Sequence, residues 1–327
     1  MLHDGVMTDQ GAAWERLDTV AATPDRTRAT PSEVTDQTTS IRLRRSRNPA
    51  LAALDGGGEI FQRRIRDVLV GSAAILAPAV ALNLWVTALT FDRVDPNRSG
   101  LPRFLTDESG GGVEDIANLL AIVFVSLTTA IVGHYAAQIL LGVRFARPVT
   151  LGAALLRTAK KVPAISAAWL LTHWWFVLMA LVVTSSDDGD IGGLLFLFSF
   201  VAWFSSAATL LVIPTMVGER LGPFAAAVRS WRLFRRRFGT CVIFVLLATF
   251  LSSLLLFGIA TLVPLLEEFG FLEFGSASGI VQGVMVQMAV LVVVPLVALG
   301  TAQVYVEVRV AGEGLDLVVD ADEAFRA

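Results

Sequence analysis

The sequence is short of most of what soluble catalysis draws on. Cys241 is its only cysteine, which excludes an intramolecular disulfide and a cysteine-based metal cluster. It has three histidines, His3, His134 and His173, and only the last two fall in apolar stretches. The sequence contains no His-Glu-x-x-His, no Gly-x-x-x-x-Gly-Lys-Ser/Thr and no Gly-x-Ser-x-Gly, so the common metalloprotease, phosphate-loop and nucleophile-elbow chemistries have no footing. Lysine is nearly missing: Lys160 and Lys161 are the only lysines among 26 basic residues, a bias that fits a GC-rich bacterial genome. Charged residues make up 17% of the chain against 54% hydrophobic ones, a balance that excludes an ordinary soluble domain. No Asp, Glu, Lys or Arg stands in the middle of an apolar stretch, which argues against ion-coupled transport.

What the sequence does have is six long apolar stretches, over residues 67–91, 116–141, 163–184, 192–217, 241–266 and 280–306. Each is about 20 residues or more, enough for a helix to cross a hydrocarbon core of about 30 Å. The segments between them alternate in charge. Residues 42–66, 144–161 and 220–237 are basic, whereas the other loops carry Asp187, Asp188 and Asp190, then Glu267, Glu268 and Glu273. The positive-inside rule places both termini and the basic segments in the cytoplasm. The reading is an all-α, polytopic membrane helix bundle of the cell membrane. It has a disordered cytoplasmic tail over 1–56, a six-helix transmembrane domain over 57–308 and a short acidic cytoplasmic tail over 309–327.

The basic segments have helical periodicity. Phe224, Val228, Trp231, Phe234 and Phe238 recur on one face, with Arg229, Arg232 and Arg236 on another. Leu151, Leu155, Ala159 and Val162 oppose Arg157, Lys160 and Lys161, and Phe61, Ile65, Val68 and Leu69 oppose Arg63, Arg64 and Arg66. Three interfacial amphipathic helices follow, with Arg229, Arg232, Arg236, Arg157, Lys160 and Lys161 as candidate contacts to anionic lipid headgroups. Ala153 to Thr158 also aligns with Ala225 to Ser230, which raises a threefold repeat of amphipathic helix plus two-helix hairpin. Gly56-Gly57-Gly58 and Gly110-Gly111-Gly112 read as flexible breaks, and the Asp187–Asp190 run as a solvated turn.

Within the apolar stretches the candidate polar sites are His134 with Gln138, one turn apart on one face, and His173 beside Trp174 and Trp175. Hydrogen bonds between helices account for them most simply, and a substrate or proton site is the alternative. Asn83, Gln282 and Gln287 are the remaining amides. No cofactor and no nucleic-acid partner is implied; Arg235-Arg236-Arg237 beside a span marks topology and lipid contact.

Three stretches resemble a known family. They are Gly58-Glu59-Ile60 with Arg63-Arg64; Gly222-Pro223-Phe224 through Ser230-Trp231-Arg232-Leu233 to Arg237-Phe238; and Tyr305-Val306-Glu307-Val308-Arg309 followed by Glu313-Gly314-Leu315-Asp316-Leu317. In order, across six spans, they are similar to the bacterial, actinobacterial-type glycerophosphoryl diester phosphodiesterase membrane-domain family. Glu307 stands where that family usually has Asp, and Arg236 where Gly is common. The resemblance implies a stand-alone member without the catalytic barrel that some members carry, so the family name does not imply catalysis here; with no convergent catalytic group in the sequence, no enzyme activity is expected. It also leaves room for the last motif to fold back, with Leu315 and Leu317 under the bundle and its acids facing the arginines. The expected function is a non-enzymatic scaffold, anchor or assembly module for envelope proteins. A transporter or channel for a small neutral or lipid-like molecule is the alternative, since Pro78, Pro214, Pro264 and Pro295 allow helices to bend. A membrane-embedded lipid enzyme ranks third.

Overall fold

The computed structural model describes residues 46–91, 113–145, 147, 149–185, 192–272, 274 and 278–315, all inside the compact unit Ile41–Ala327. Among these residues every element is helical: α1 (Pro49–Arg63), α2 (Ile65–Phe91), α3 (Val113–Arg144), α4 (Leu151–Ser185), α5 (Gly192–Thr209), α6 (Val212–Gly218), α7 (Pro223–Arg236), α8 (Phe238–Glu268) and α9 (Ser278–Glu313). Five stretches are long and apolar enough to cross a membrane: Ile65–Trp85, Val123–Arg144, Phe198–Gly218, Phe238–Glu268 and Ile280–Glu313. The chain is therefore a multi-pass membrane protein. The stretch 163–184, expected as a span of its own, is part of α4 and is not among the five.

The apolar surface of α8 suits contact with lipid. Phe250, Leu254 and Phe257 are 65%, 60% and 70% exposed and stand on one stripe of the helix. Such a stripe is stable against hydrocarbon and costly in water. By contrast, every residue of 302–310 on α9 is buried. With 36 residues α9 is about 54 Å long, longer than the hydrocarbon thickness, and its last turns form the axis around which the basic end of the bundle packs.

Several of the sequence expectations need correction. The segment Phe61 to Leu69, expected as one amphipathic helix, is divided at Arg64 between α1 and α2. Residues 49–56, assigned to a disordered tail, form the first turns of α1, which starts with Pro at its N-terminus where a missing N–H costs nothing. Gly56, Gly57 and Gly58, expected as a flexible break, lie inside that helix. They permit close packing: a Cβ on Gly57 would sit 2.7 Å from the backbone nitrogen of Gly300 on α9. The amphipathic segment before 163–184 is not a separate helix. It is continuous with α4 through Pro163, and the bend falls later, at His173 (φ −117°, ψ 18°). The chain also breaks between α5 and α6 at Leu210–Leu211, four and three residues before Pro214, whose ring clashes with the preceding turn.

Three short segments, α1, the first turns of α4, and α7, dock in the same way. Ala53, Gly57 and Ile60 of α1 and Ala226, Ser230 and Leu233 of α7 are buried at identical spacing, and Ala154 and Thr158 of α4 repeat the first two positions. Each faces the hairpin before it. Thr158 meets α3 through Gln138 (2.9 Å), and Ser230 donates to the Ala208 carbonyl of α5 (3.1 Å). Gly57 meets α9 of the last hairpin, so the first unit closes a ring on the third.

Candidate functional site

At the basic end the motif Tyr305 to Glu313 forms a dense polar cluster. The Tyr305 hydroxyl donates to Glu219 Oε1 (3.2 Å) and accepts from Arg309 Nη1 (3.0 Å). Arg309 Nε donates to Glu313 Oε2 one turn on (3.1 Å). Arg229 of α7 bridges both acids, with Nε 3.0 Å from Glu219 and Nη2 2.7 Å from Glu313. Burial works against the Arg229 charge, yet the two carboxylates more than offset it and hold its guanidinium above the ordinary value. Gly218 makes the approach possible, because a Cβ there would lie 2.7 Å from the Tyr305 hydroxyl. The expected fold-back of the last motif is present as far as the described residues run. Leu315 is buried and Glu313 faces Arg229 and Arg236, whereas Asp316 and Leu317 lie outside them. Arg309 and Glu313 thus belong to the helical domain rather than to the tail assigned over 309–327.

A second cluster joins α1, α3 and α9. Arg144 Nε donates to Gln303 Oε1 (2.9 Å), Gln303 Nε2 donates to Glu307 Oε1 (2.9 Å), and Glu59 stands 3.9 Å from Arg144 Nη2. Glu307 is therefore part of a buried contact.

Of the candidate headgroup contacts, Arg229 is corrected: it is spent inside the protein on Glu219 and Glu313. The spacing that set it beside Arg232 and Arg236 could not reveal two acids, one of them 84 residues away. Arg232, Arg157, Lys160 and Lys161 are exposed, and Arg236 is exposed with Glu313 3.7 Å away. Of the aromatic face, Phe224, Val228, Trp231 and Phe238 are exposed and Phe234 is buried.

His134, Gln138 and Thr158 form a neutral buried group. His134 Nδ1 lies 3.2 Å from Thr158 Oγ1 and 3.1 Å from Gln138 Nε2, which also donates to Thr158 Oγ1 and, at 3.4 Å, to the Ala154 carbonyl. His173 sits elsewhere, its ring stacked on Trp169 (5.4 Å) and Trp175 (6.0 Å) and its Nδ1 near Thr172 Oγ1 (2.8 Å) and the Trp169 carbonyl (3.2 Å). The two histidines are therefore not brought together. Beside His173, Trp174 and Trp175 of α4, Phe200 and Phe204 of α5 and Trp231 of α7 line an apolar cleft of about 350 Å³. Sequence reasoning missed this cleft; the only hint was a tryptophan pair at mid-stretch, away from the usual interface position. No group of three or more His, Cys, Asp or Glu suited to a metal occurs among the described residues. The acidic run Asp187–Asp190 lies outside them.

Compared with protein families, with curated proteins and with solved structures, the chain finds no match.

Proposed function

We propose that the chain is a non-catalytic membrane module that anchors or helps assemble other envelope proteins. In this reading six spans, with α4 supplying the sixth, lie in the cell membrane with both termini cytoplasmic. The observation that carries it is the way charge is divided at the basic end. Glu219, Arg229, Arg309 and Glu313 are spent on one another, tying α6, α7 and α9 into one piece. Arg157, Lys160, Lys161 and Arg232 remain exposed around that piece. A surface of this kind suits anionic lipid and acidic partner segments, while the interior offers its polar groups to each other. The resemblance to the glycerophosphoryl diester phosphodiesterase membrane domain agrees with such a role.

A second reading, a carrier of lipid-like molecules, is favoured by the apolar cleft beside Trp174 and Trp231. Reconstitution separates the two. Proteoliposomes containing the purified chain should move labelled phospholipid between leaflets no faster than protein-free vesicles, and cross-linking in native membranes should join the chain to a second protein at its basic end. Faster lipid movement would replace the anchoring role with transport.

A further inference from the structure

We infer that the cleft between α4, α5 and α7 holds one acyl chain of an anionic phospholipid, with Arg232 and Arg235 receiving its phosphate. This goes beyond the anchoring role and stands independently of it. Three observations carry the assignment.

The cleft is at lipid depth. Phe200 and Phe204 belong to the stretch Phe198–Gly218, apolar enough to cross a membrane, so the space between them and Trp174 adjoins hydrocarbon rather than water. At about 350 Å³ it falls within the roughly 300–1,000 Å³ of small-ligand sites. Its polar lining residues on α5, Ser205 and Thr209, spend their hydroxyls on the Thr172 carbonyl (3.4 Å) and the Ser205 carbonyl (2.7 Å).

The walls are fixed. At the His173 bend the Thr172 carbonyl accepts the indole N–H of Trp175 (3.0 Å), while the Trp169 carbonyl faces His173 Nδ1 (3.2 Å). Stacking of His173 between Trp169 and Trp175 then holds the α4 wall. On the other side Phe234 packs edge-on to Phe204 (5.8 Å) and against Trp231 (5.5 Å), which sets α7 across the end of the cleft. A space kept open by hydrogen bonds and stacked rings is a site for an occupant, because an unfilled gap in a flexible apolar wall would collapse.

The charge on α7 next to the cleft's Trp231 is positive and, among the described residues, has no ion-pair partner. Arg235 follows Trp231 by one turn on the same side of α7, and Arg232 adjoins it; both are exposed. The other arginines of this segment are committed: Arg229 to Glu219 and Glu313, Arg236 beside Glu313, and Arg237 to the Ala311 carbonyl. Arg232 and Arg235 take no ion pair among the described residues. A neutral lipid would leave these two guanidinium groups unmatched, and a soluble anion would leave the aromatic cleft unfilled. An anionic phospholipid satisfies both, its phosphate suiting the planar donor fork of arginine.

Tryptophan quenching by lipids with brominated acyl chains tests the assignment on the full chain in phosphatidylcholine nanodiscs. Brominated phosphatidylglycerol should reach half of its maximal quenching at about one-fifth the mole fraction that brominated phosphatidylcholine needs. Arg232→Gln with Arg235→Gln, both on exposed side chains and so expected to fold, should bring the two curves within about twofold. Trp174→Phe with Trp231→Phe should cut the phosphatidylglycerol-specific component to the part that Trp175, also on the cleft, still reports, while quenching of the outward-facing Trp85 persists. Coincident curves for the two lipids in the unsubstituted chain would overturn the proposal. So would a preference that survives the arginine pair, or a specific component that the tryptophan pair leaves unchanged.

Discussion

α1 and α7 dock through the same spacing of small and apolar residues, Ala53-Gly57-Ile60 and Ala226-Ser230-Leu233, yet their outer surfaces differ. On α1 the outward charges are mixed, and Glu59 pairs with Arg63 at 2.7 Å. On α7 they are all basic, and Phe224 and Trp231 stand exposed beside them. The shared seam is what building the ring requires; the unshared surface is where a helix acquires a separate task. The seams differ in kind as well. α1 meets α9 backbone to backbone, whereas α7 is held by a serine hydrogen bond and an ion-pair network.

The largest effect should come from the network. Arg309→Met strips Glu219 and Glu313 of a buried partner, and unfolding of the purified protein in mild detergent should show a loss of about 3–5 kcal/mol. A loss below about 1 kcal/mol would mean that α7 is held by its apolar contacts alone. Gly57→Val comes next, because its side chain would enter the space of the Gly300 backbone; a loss of about 3 kcal/mol is expected, and Gly58→Val, with open space around it, should be mild. If Gly57 and Gly58 respond alike, α1 does not dock as described. Ser230→Ala should cost about 1 kcal/mol, the worth of its bond to Ala208. Smallest of all, Phe224→Ser, on a side chain 71% exposed, should shift stability by less than about 0.5 kcal/mol. A larger loss would show that the outer face of α7 is covered by protein.

Much of this was legible in the residues. Hydropathy located the long helices, because burying an apolar helix in lipid requires a length that sequence states directly. The order Tyr305, Arg309, Glu313 with Leu315 announced a folded inner end, and Thr158 and Ser230 were aligned before their buried positions were seen. What was not legible depended on partners far along the chain. Three consecutive glycines carry the same letters whether they loosen a loop or admit another backbone, and only Gly300 decides between them. Arg229 has the helical spacing of a lipid contact, and only Glu313 decides otherwise. The cleft was hidden for a related reason: its walls come from three helices, and the bend at His173 falls at none of the four prolines expected to let helices bend.

The placement of α9 has a consequence for how the protein is made. Helices inserted earlier leave Arg144, Glu219 and Arg229 at the basic end with partners, Gln303, Tyr305 and Glu313, that the ribosome delivers only with the final helix. Gly57 likewise waits for Gly300. During synthesis the chain therefore exposes an unfinished polar seam until α9 arrives, and a product truncated before α9 keeps that seam open. Such a product is a natural target for membrane proteases, so closing the ring also marks that α9 has been made and inserted.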